Sequence, residues 1–217
     1  MIIHDVTQGS NEWLALRCGV ITASEMKLIL TPTLKIASND KERAHLYELA
    51  AQRITGHVEP FYINDDMLRG MEDEHTAREL YSGDVDTVGF ITDDRFGFTI
   101  GYSPDGLVGD DGLIEIKSRR QKFQVETIVK GEMPAEYMLQ IQTGLLVTQR
   151  KWCDFISYSG GLHMYVLRIE PDPDIQEAII KAVTAFNTRI EEVVKDYHAK
   201  AKGLIQTERK IEQEMTL

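Results

Sequence analysis

The segment SPDGLVGDDGLIEIKS, residues 103–118, carries the clearest structural pattern in the chain. Its opening letters SPDG favour a turn, because proline presets one backbone angle and glycine accepts conformations that other residues avoid. Residues 112–118 alternate in polarity, which predicts a β-strand. Side chains two apart on a strand point to the same face. The pattern therefore predicts Asp105 at a turn beside a strand that presents Glu115 and Lys117 together.

Strands are predicted on both sides of this segment. Upstream, residues 87–92 and 96–102 form a predicted hairpin, and downstream residues 152–159 and 163–169 form another strand pair. Capping residues and apolar spacings of three or four predict helices over residues 10–17, 22–31, 40–55, 67–81, 134–148 and 174–201. The predicted fold is α/β (α+β), with a central mixed β-sheet flanked by helices.

Length and composition favour one globular domain. We predict a single domain over residues 1–217, with a core at about 10–170 and a C-terminal helical extension at about 171–217. The cysteines, Cys18 and Cys153, match no metal-site or disulfide spacing, which favours a reducing compartment. The N-terminus lacks a signal-peptide pattern, and no apolar run reaches the roughly 20 residues that span a bilayer. We therefore expect a cytoplasmic protein with no membrane partner.

The net charge of −11 by itself argues against a nucleic-acid partner. The charges are, however, unevenly distributed along the chain. Residues 1–58 hold six acidic and six basic side chains, and residues 112–217 hold fifteen of each. The whole excess lies in residues 59–111, with fourteen acidic and three basic side chains. This block is either a solvated acidic face or in part a cation site, where bound divalent metal would reverse the local sign for a phosphate ligand.

Asp105, Glu115 and Lys117 suit metal-dependent hydrolysis. Two carboxylates on neighbouring segments can share Mg²⁺, which prefers oxygen ligands and keeps several waters, and the carbonyl of Ile116 offers a further oxygen. A metal lowers the pKa of its bound water and stabilises a reacting phosphate, while an ammonium beside it can orient or deprotonate that water. The alternative interpretation is a turn aspartate and an edge-strand ion pair with no chemical role.

Two further polar residues are candidates for this centre. Glu74, on a predicted helix, could supply a third carboxylate, or it could belong to an exposed acidic face with Glu72 and Asp73. Gln140 follows Tyr137 by three residues on one face of another helix. A buried glutamine at that position could equally be structural.

Two groups of residues could bind phosphate. Arg17 and Ser24 offer a guanidinium, a hydroxyl and free backbone amides for a terminal phosphate, or they are an ordinary surface arginine and a helix cap. Residues 115–122, EIKSRRQK, carry four basic groups against one acidic group. This segment could grip a DNA backbone or could be a solvated strand end.

Together these motifs resemble the lambda exonuclease family, also called YqaJ-like viral recombinases, within the PD-(D/E)xK nuclease superfamily. The aspartate and the glutamate are ten residues apart, as in lambda exonuclease. The resemblance is carried in order by WLALRCGVITASE at 13–25, a glycine four residues before Glu74, SPDGL with GLIEIK at 103–117, and YMLQIQ at 137–142.

The resemblance implies a restriction-endonuclease-like core and an enzyme that hydrolyses linear double-stranded DNA from the 5′ end by a two-metal mechanism. The metals, Mg²⁺ or Mn²⁺, would be held by Asp105, Glu115 and the Ile116 carbonyl. Lys117 would position the attacking water. The further catalytic residues implied are Glu74, also a candidate metal ligand, and Gln140.

The resemblance also implies DNA contacts and partners. Arg17 and Ser24 would bind the DNA 5′-phosphate, and Lys35 is a candidate for the basic loop residue that guides DNA. A homotrimeric ring would surround the duplex, with Arg119, Arg120 and Lys122 facing the DNA backbone. The 3′ overhang would pass to a single-strand annealing protein, which implies phage or prophage origin in a bacterial host cytoplasm.

Two other functions remain open from the sequence, and a third is excluded. An endonuclease of the same fold would share the chemistry but would have no need of a terminal-phosphate pocket. An iron–sulfur nuclease is excluded, since two cysteines cannot supply four cluster ligands. A non-catalytic DNA-binding module would have no need of the complete set of Asp105, Glu115 and Lys117.

Overall fold

The computed structural model describes residues 1–60 and 64–209, so the last eight residues of the predicted C-terminal extension lie outside the described residues. Seven α-helices are found there. They are α1 (Asn11–Arg17), α2 (Met26–Ile29, preceded by a 3₁₀ turn at Ala23–Glu25), α3 (Asp40–Thr55), α4 (Asp65–Leu80), α5 (Gln121–Lys130), α6 (Met138–Thr148, preceded by a 3₁₀ turn at Ala135–Tyr137) and α7 (Pro173–Lys200).

Local capping sets the helix ends. The Ser10 side chain accepts from the backbone N–H of Trp13 at 3.2 Å and starts α1, as predicted. Asn39 caps α3 in the same way, and Gly56, with a left-handed φ of 64°, ends it at the predicted residue. Helix α4 begins two residues earlier than predicted, because Asn64 is its cap and Asp65 and Asp66 favour the positive end of the helix dipole.

Nine strands form two mixed sheets in the described part of the chain. The first sheet has the order β1-β4-β5-β2 and the second the order β3-β6-β7-β8-β9. The strands are β1 (Ile2–His4), β2 (Ile21–Thr22), β3 (Val85–Asp86), β4 (Phe90–Asp93), β5 (Ile100–Tyr102), β6 (Gly106–Val108), β7 (Gly112–Ser118), β8 (Trp152–Tyr158) and β9 (Tyr165–Ile169).

The prediction of one central sheet is corrected by this arrangement. Strand β5 ends at Tyr102, and the turn through Ser103–Asp105 carries the chain from the first sheet into β6 of the second. The predicted hairpin β4–β5 and the strand pair β8–β9 are both antiparallel, as expected. Strand β7 pairs antiparallel with β6 and parallel with β8, so it lies inside the second sheet.

The main core lies between the sheets and helices α3, α6 and α7. The apolar spacing predicted for α7 is confirmed, since Ile179, Val183, Phe186 and Ile190 are all buried in that core. The helical segment predicted as an extension therefore packs into the core over residues 175–194, while the single-domain boundaries stay a prediction. No helix in the described residues is both long and apolar enough to cross a bilayer.

Helix α5 was not predicted, because its pattern is the reverse of an ordinary amphipathic helix. Its buried residues are polar, Gln124 and Thr127, while Val125 and Val129 are exposed. The Gln124 amide donates to the carbonyl of Ser157 at 2.9 Å and accepts from the Ser157 hydroxyl at 2.5 Å. Side-chain hydrogen bonds therefore hold the helix on β8, and hydrophobic periodicity could not reveal it.

Candidate active site

The predicted trio of Asp105, Glu115 and Lys117 meets at one edge of strand β7. Asp105 follows β5 in the turn before β6, and its Oδ2 accepts from the backbone N–H of Ile116 at 2.6 Å. On β7, the Lys117 ammonium donates to Oε1 of Glu115 at 2.6 Å. The same-face prediction for Glu115 and Lys117 is therefore confirmed, and the turn aspartate is tied directly to the strand between them.

The carboxylate of Glu115 is held by donors from three different elements. Gln140 on α6 donates to the same Oε1 at 2.5 Å, while the hydroxyl of Tyr102, the last residue of β5, donates to Oε2 at 2.7 Å. Glu115 is only 1% exposed. A buried carboxylate is stable only when its oxygens are hydrogen-bonded or paired, and here both oxygens are. The candidate Gln140 therefore contacts Glu115 directly, and so does Tyr102, which the sequence analysis missed.

Helix α4 brings a third carboxylate to the same place. Arg78 forms an ion pair with Glu74, one helical turn before it, and its Nε donates to the backbone carbonyl of Asp105 at 2.9 Å. One guanidinium thus fixes Glu74 relative to the turn that carries Asp105. Arg78 was also missed from the sequence, which predicted this helix and singled out only Glu74 on it.

Burial and the crowding of negative charge shift the pKa values of the residues in this cluster. Burial, together with the charges of Glu115 and Glu74, raises the pKa of Asp105 well above its usual range. Burial also raises the pKa of Glu74, and Arg78 opposes that effect. Burial alone would lower the pKa of Lys117, but the charges of Glu115 and Asp105 reverse this and hold it above its usual value. Lys117 is therefore an ammonium at neutral pH.

The chemistry of these side chains fits a hard divalent cation. Three carboxylates lie near one another with their negative charge only partly balanced, and oxygen ligands of this kind are what Mg²⁺ prefers. Within residues 1–60 and 64–209, however, no group of three His, Cys, Asp or Glu side chains is already arranged as a metal cage. In this arrangement the Lys117 ammonium and the Gln140 amide both donate to Oε1 of Glu115.

The backbone of Ile116 faces the same cluster. Its N–H is bound to Asp105, and in a strand the N–H and carbonyl of one residue point to the same side. Strand β6 pairs with β7 only as far as Ile114, so the edge beyond it is left for the turn that carries Asp105. The Ile116 carbonyl, predicted as a metal ligand, is thus directed to the side where Asp105 lies.

Arg17 lines a cavity of about 310 Å³, and Ser24 is not part of its lining but contacts Thr22, which is. The Arg17 guanidinium stacks on the ring of Trp13 at 4.3 Å and its Nη2 lies 3.4 Å from the Thr22 hydroxyl. That hydroxyl is 3.3 Å from Ser24 Oγ and donates to Glu25 at 2.6 Å. Burial lowers the pKa of Arg17, which remains a cation because the usual value is so high.

A direct contact links this cavity to the carboxylate cluster. The indole N–H of Trp13 donates to the Ser103 hydroxyl at 2.9 Å, and Ser103 stands two residues before Asp105. The Trp13 ring therefore carries Arg17 on one side and holds the Asp105 turn on the other. Trp13 therefore connects the two predicted sites through one hydrogen bond and one cation–π contact.

The other residues predicted to contact DNA differ in their exposure and in their partners. Arg119 is largely buried, because it donates to the Tyr137 hydroxyl at 2.5 Å and to Glu136 at 3.2 Å. Arg120 is exposed and pairs with Asp66 at 2.9 Å. Lys122 and Lys35 are exposed, and Lys35 lies in the loop after α2 beside a cavity that Asp174 and Glu177 also line.

Comparisons with known proteins agree with the geometry. A model of the YqaJ-like viral recombinase domain matches residues 12–151. The chain is similar to a crystal structure of an alkaline exonuclease from Laribacter hongkongensis, with 37% identity over 90% of this chain and 100% of that one and a TM-score of 0.80. The same enzyme in complex with dAMP matches with 36% identity, the same coverage of both chains and a TM-score of 0.81.

A more distant structure shares the fold. A phage-related exonuclease from Haemophilus somnus 129PT has 13% identity over 82% of this chain and 96% of that one, with a TM-score of 0.61. No similar sequence is found among curated proteins.

Proposed function

Because the chain belongs to the family of YqaJ-like viral recombinase domains, we propose that it is a metal-dependent exonuclease that degrades linear double-stranded DNA from its 5′ ends. Membership makes the chain a deoxyribonuclease and confirms the resemblance carried by the sequence motifs. The direction of digestion, the metal and the 3′ overhang are the proposed parts. The dAMP bound by the Laribacter enzyme has the form of a mononucleotide product, which supports stepwise release of nucleotides.

One observation carries the proposed chemistry: Glu115 is held by Lys117, Gln140 and Tyr102 beside the half-buried Asp105. Asp105, Glu115, the Ile116 carbonyl and Glu74 would hold one or two Mg²⁺ or Mn²⁺ ions, which supply a water of lowered pKa and stabilise charge on the phosphate. Since Lys117 is an ammonium, it would orient that water and steady the phosphate rather than remove a proton. Gln140 would hold the Glu115 carboxylate in place while the other groups that contact this carboxylate are exchanged.

The proposed 5′ polarity rests on the cavity beside Arg17. A cation with a nearby hydroxyl suits the two negative charges of a terminal phosphate, whereas an internal phosphate carries one. The contact from Trp13 to Ser103 would set the distance between the bound end and the carboxylates. Digestion of one strand would leave a 3′ overhang, and we propose that it passes to a single-strand annealing protein.

An endonuclease of the same fold is the second candidate, because the carboxylate cluster alone does not require a DNA end. Linear duplex labelled at either the 5′ or the 3′ end, and a covalently closed circle of the same sequence, separate the two functions with Mg²⁺ present. We expect early release of the 5′ label, survival of the 3′-labelled strand and a closed circle that stays intact. Cutting of the circle at a comparable rate would favour the endonuclease, and early release of the 3′ label would contradict the polarity.

Metal binding is expected to stabilise the protein more at higher pH. Asp105 and Glu74 have raised pKa values, so the folded protein binds their protons more tightly than the unfolded chain does. Loss of those protons therefore costs stability as pH rises from about 4, the ordinary aspartate value, through the raised values. A cation replaces the protons and removes that cost.

This expectation is checked by thermal melts with Mg²⁺ or with a chelator. The rise in melting temperature on adding Mg²⁺ should be small near pH 5 and larger near pH 8, and Asp105→Asn should flatten that dependence. An equal rise at both pH values in the unaltered protein would mean that these carboxyls do not bind the metal.

A homotrimeric ring is the proposed assembly. An acidic chain is repelled by DNA, and a closed ring would retain the duplex by threading it. Helix α5 exposes the apolar side chains Phe123, Val125, Ile128 and Val129, which supports burial against a second copy through a heterologous interface. Light scattering should give about 74 kDa, three times the 24.7 kDa chain. A monomer at working concentration would exclude the ring and leave a distributive nuclease.

A further inference from the structure

Tyr102 donates a hydrogen bond to Glu115 that has no direct part in the proposed hydrolysis. Its ring is 1% exposed and its hydroxyl donates to Oε2 of Glu115 at 2.7 Å, on the side of the carboxylate opposite Lys117 and Gln140. A hydrogen bond to a charged group inside a protein is stronger than one between neutral groups, and its loss leaves a buried acceptor unsatisfied. The contact therefore holds Oε2 in place. Because both oxygens belong to one planar carboxylate, it also fixes the orientation of Oε1.

Helix α6 contacts both Glu115 and the Tyr102 ring. Gln140 and Gly144 are four residues apart and share one helix face. Gln140 reaches Oε1 of Glu115, while a Cβ added to Gly144 would lie 2.7 Å from the Tyr102 ring. Such an approach is too close for ordinary packing, so only glycine lets the ring lie against α6 at its present depth.

We propose that Tyr102 is a positioning residue of the nuclease site, which fixes the Glu115 carboxylate so that Oε1 is presented to Lys117, Gln140 and the divalent cation. Gly144 provides the space in which the Tyr102 ring lies. This inference rests on the proposed metal-dependent function. It assigns to Tyr102 a contribution to cation affinity and none to the attack on the phosphate, because its hydroxyl is directed to Glu115.

The test is Tyr102→Phe, which keeps the ring and removes only the hydroxyl. Tyr81→Phe is a matched control, since the Tyr81 hydroxyl donates to the Asp154 carboxylate at the same 2.7 Å outside the site. Mn²⁺ binding is measured by titration calorimetry without DNA, and hydrolysis of linear duplex is measured against Mn²⁺ concentration. Tyr102→Phe should weaken Mn²⁺ binding about tenfold and raise the half-saturating Mn²⁺ concentration equally, with most of the maximal rate recovered at saturation. Tyr81→Phe should leave both quantities unchanged.

Gly144→Ala provides a second, independent test. It should weaken Mn²⁺ binding in the unaltered background, because the displaced ring carries its hydroxyl away from Glu115. In the Tyr102→Phe background the same change should have no further effect on Mn²⁺ affinity, since no hydroxyl remains to be displaced.

The outcomes separate this inference from the proposed function. If the unaltered protein binds Mn²⁺ and hydrolyses DNA while Tyr102→Phe keeps the same Mn²⁺ affinity within about twofold, the positioning role is wrong and the nuclease function stands. If Tyr102→Phe lowers the rate at saturating Mn²⁺ without changing affinity, the role is also wrong, because the defect would lie in the chemical step. An unaltered protein that neither binds Mn²⁺ nor hydrolyses DNA would overturn both.

Discussion

Replacing Lys117 with methionine is expected to lower the rate of DNA hydrolysis at least about a thousandfold, or about 4 kcal/mol in the activation free energy. Methionine keeps much of the side-chain length and apolar stem and removes the charge. The ammonium lies 2.6 Å from Glu115 and has a raised pKa, so it is the one permanent cation that contacts this carboxylate among the described residues. Under the proposed mechanism this ammonium steadies the phosphate while the water attacks, so its loss should slow the chemical step.

The structure offers a matched control for this change. Lys130 forms an ion pair with Glu126 at the same 2.6 Å, but on the exposed face of α5. Lys130→Met removes an equivalent contact and should leave the rate unchanged, since exposed pairs contribute little. If Lys117→Met retained activity within about tenfold, or about 1.4 kcal/mol, the role assigned to Lys117 would be wrong.

Metal affinity distinguishes the carboxylates from the lysine. Asp105→Asn and Glu115→Gln should abolish hydrolysis and also weaken Mg²⁺ binding, because each removes a charged ligand. Lys117→Met removes a competitor for Glu115 Oε1 and should not weaken that binding. Far-ultraviolet circular dichroism of each variant checks that the fold is kept.

The parts of the site that depend on local geometry could be predicted from the sequence. Alternation along β7 was sufficient to place Glu115 and Lys117 on one face, and the SPDG letters indicated the turn at Asp105. Glu74 and Gln140 were candidates on predicted helices, and only the family resemblance implied that they belong to this site, because their helices reach the strand only through tertiary packing. The sequence spacing between these helices and β7 carries no such information.

Tyr102 and Arg78 could not be predicted because their partners are set by how separate elements pack. Tyr102 lies thirteen residues before Glu115 and reaches it from the first sheet, because the Asp105 turn connects β5 to β6, which pairs with β7 in the second sheet. In the sequence, Arg78 resembles an ordinary surface arginine one helical turn after a glutamate. In the structure, it also donates to the backbone carbonyl of Asp105. A backbone acceptor leaves no residue-type signal in a sequence.

Arg17→Ala is expected to abolish the preference for 5′-phosphorylated ends. In the unaltered protein, duplex with a 5′-phosphate should be digested about 10- to 100-fold faster than duplex with a 5′-hydroxyl, which is the range of a lost charge-assisted hydrogen bond of about 1.5–3 kcal/mol. Arg17 is the cation that lines the 310 Å³ cavity, and Glu25 and Glu48 line it as well. Without Arg17 the cavity would therefore repel a phosphate rather than merely fail to bind it.

A control and a graded variant make this expectation specific to the phosphate. Arg168 stacks on the ring of Trp152 at 3.6 Å much as Arg17 stacks on Trp13, so Arg168→Ala removes a similar contact elsewhere and should keep the end preference. Arg17→Lys keeps the charge but loses the planar fork, and should retain part of the preference. Equal rates on both kinds of end in the unaltered protein would exclude this cavity as the phosphate site. A preference that survives Arg17→Ala would move the site elsewhere, because the charged residues that remain around the cavity, Glu25, Glu48 and Glu59, are all acidic.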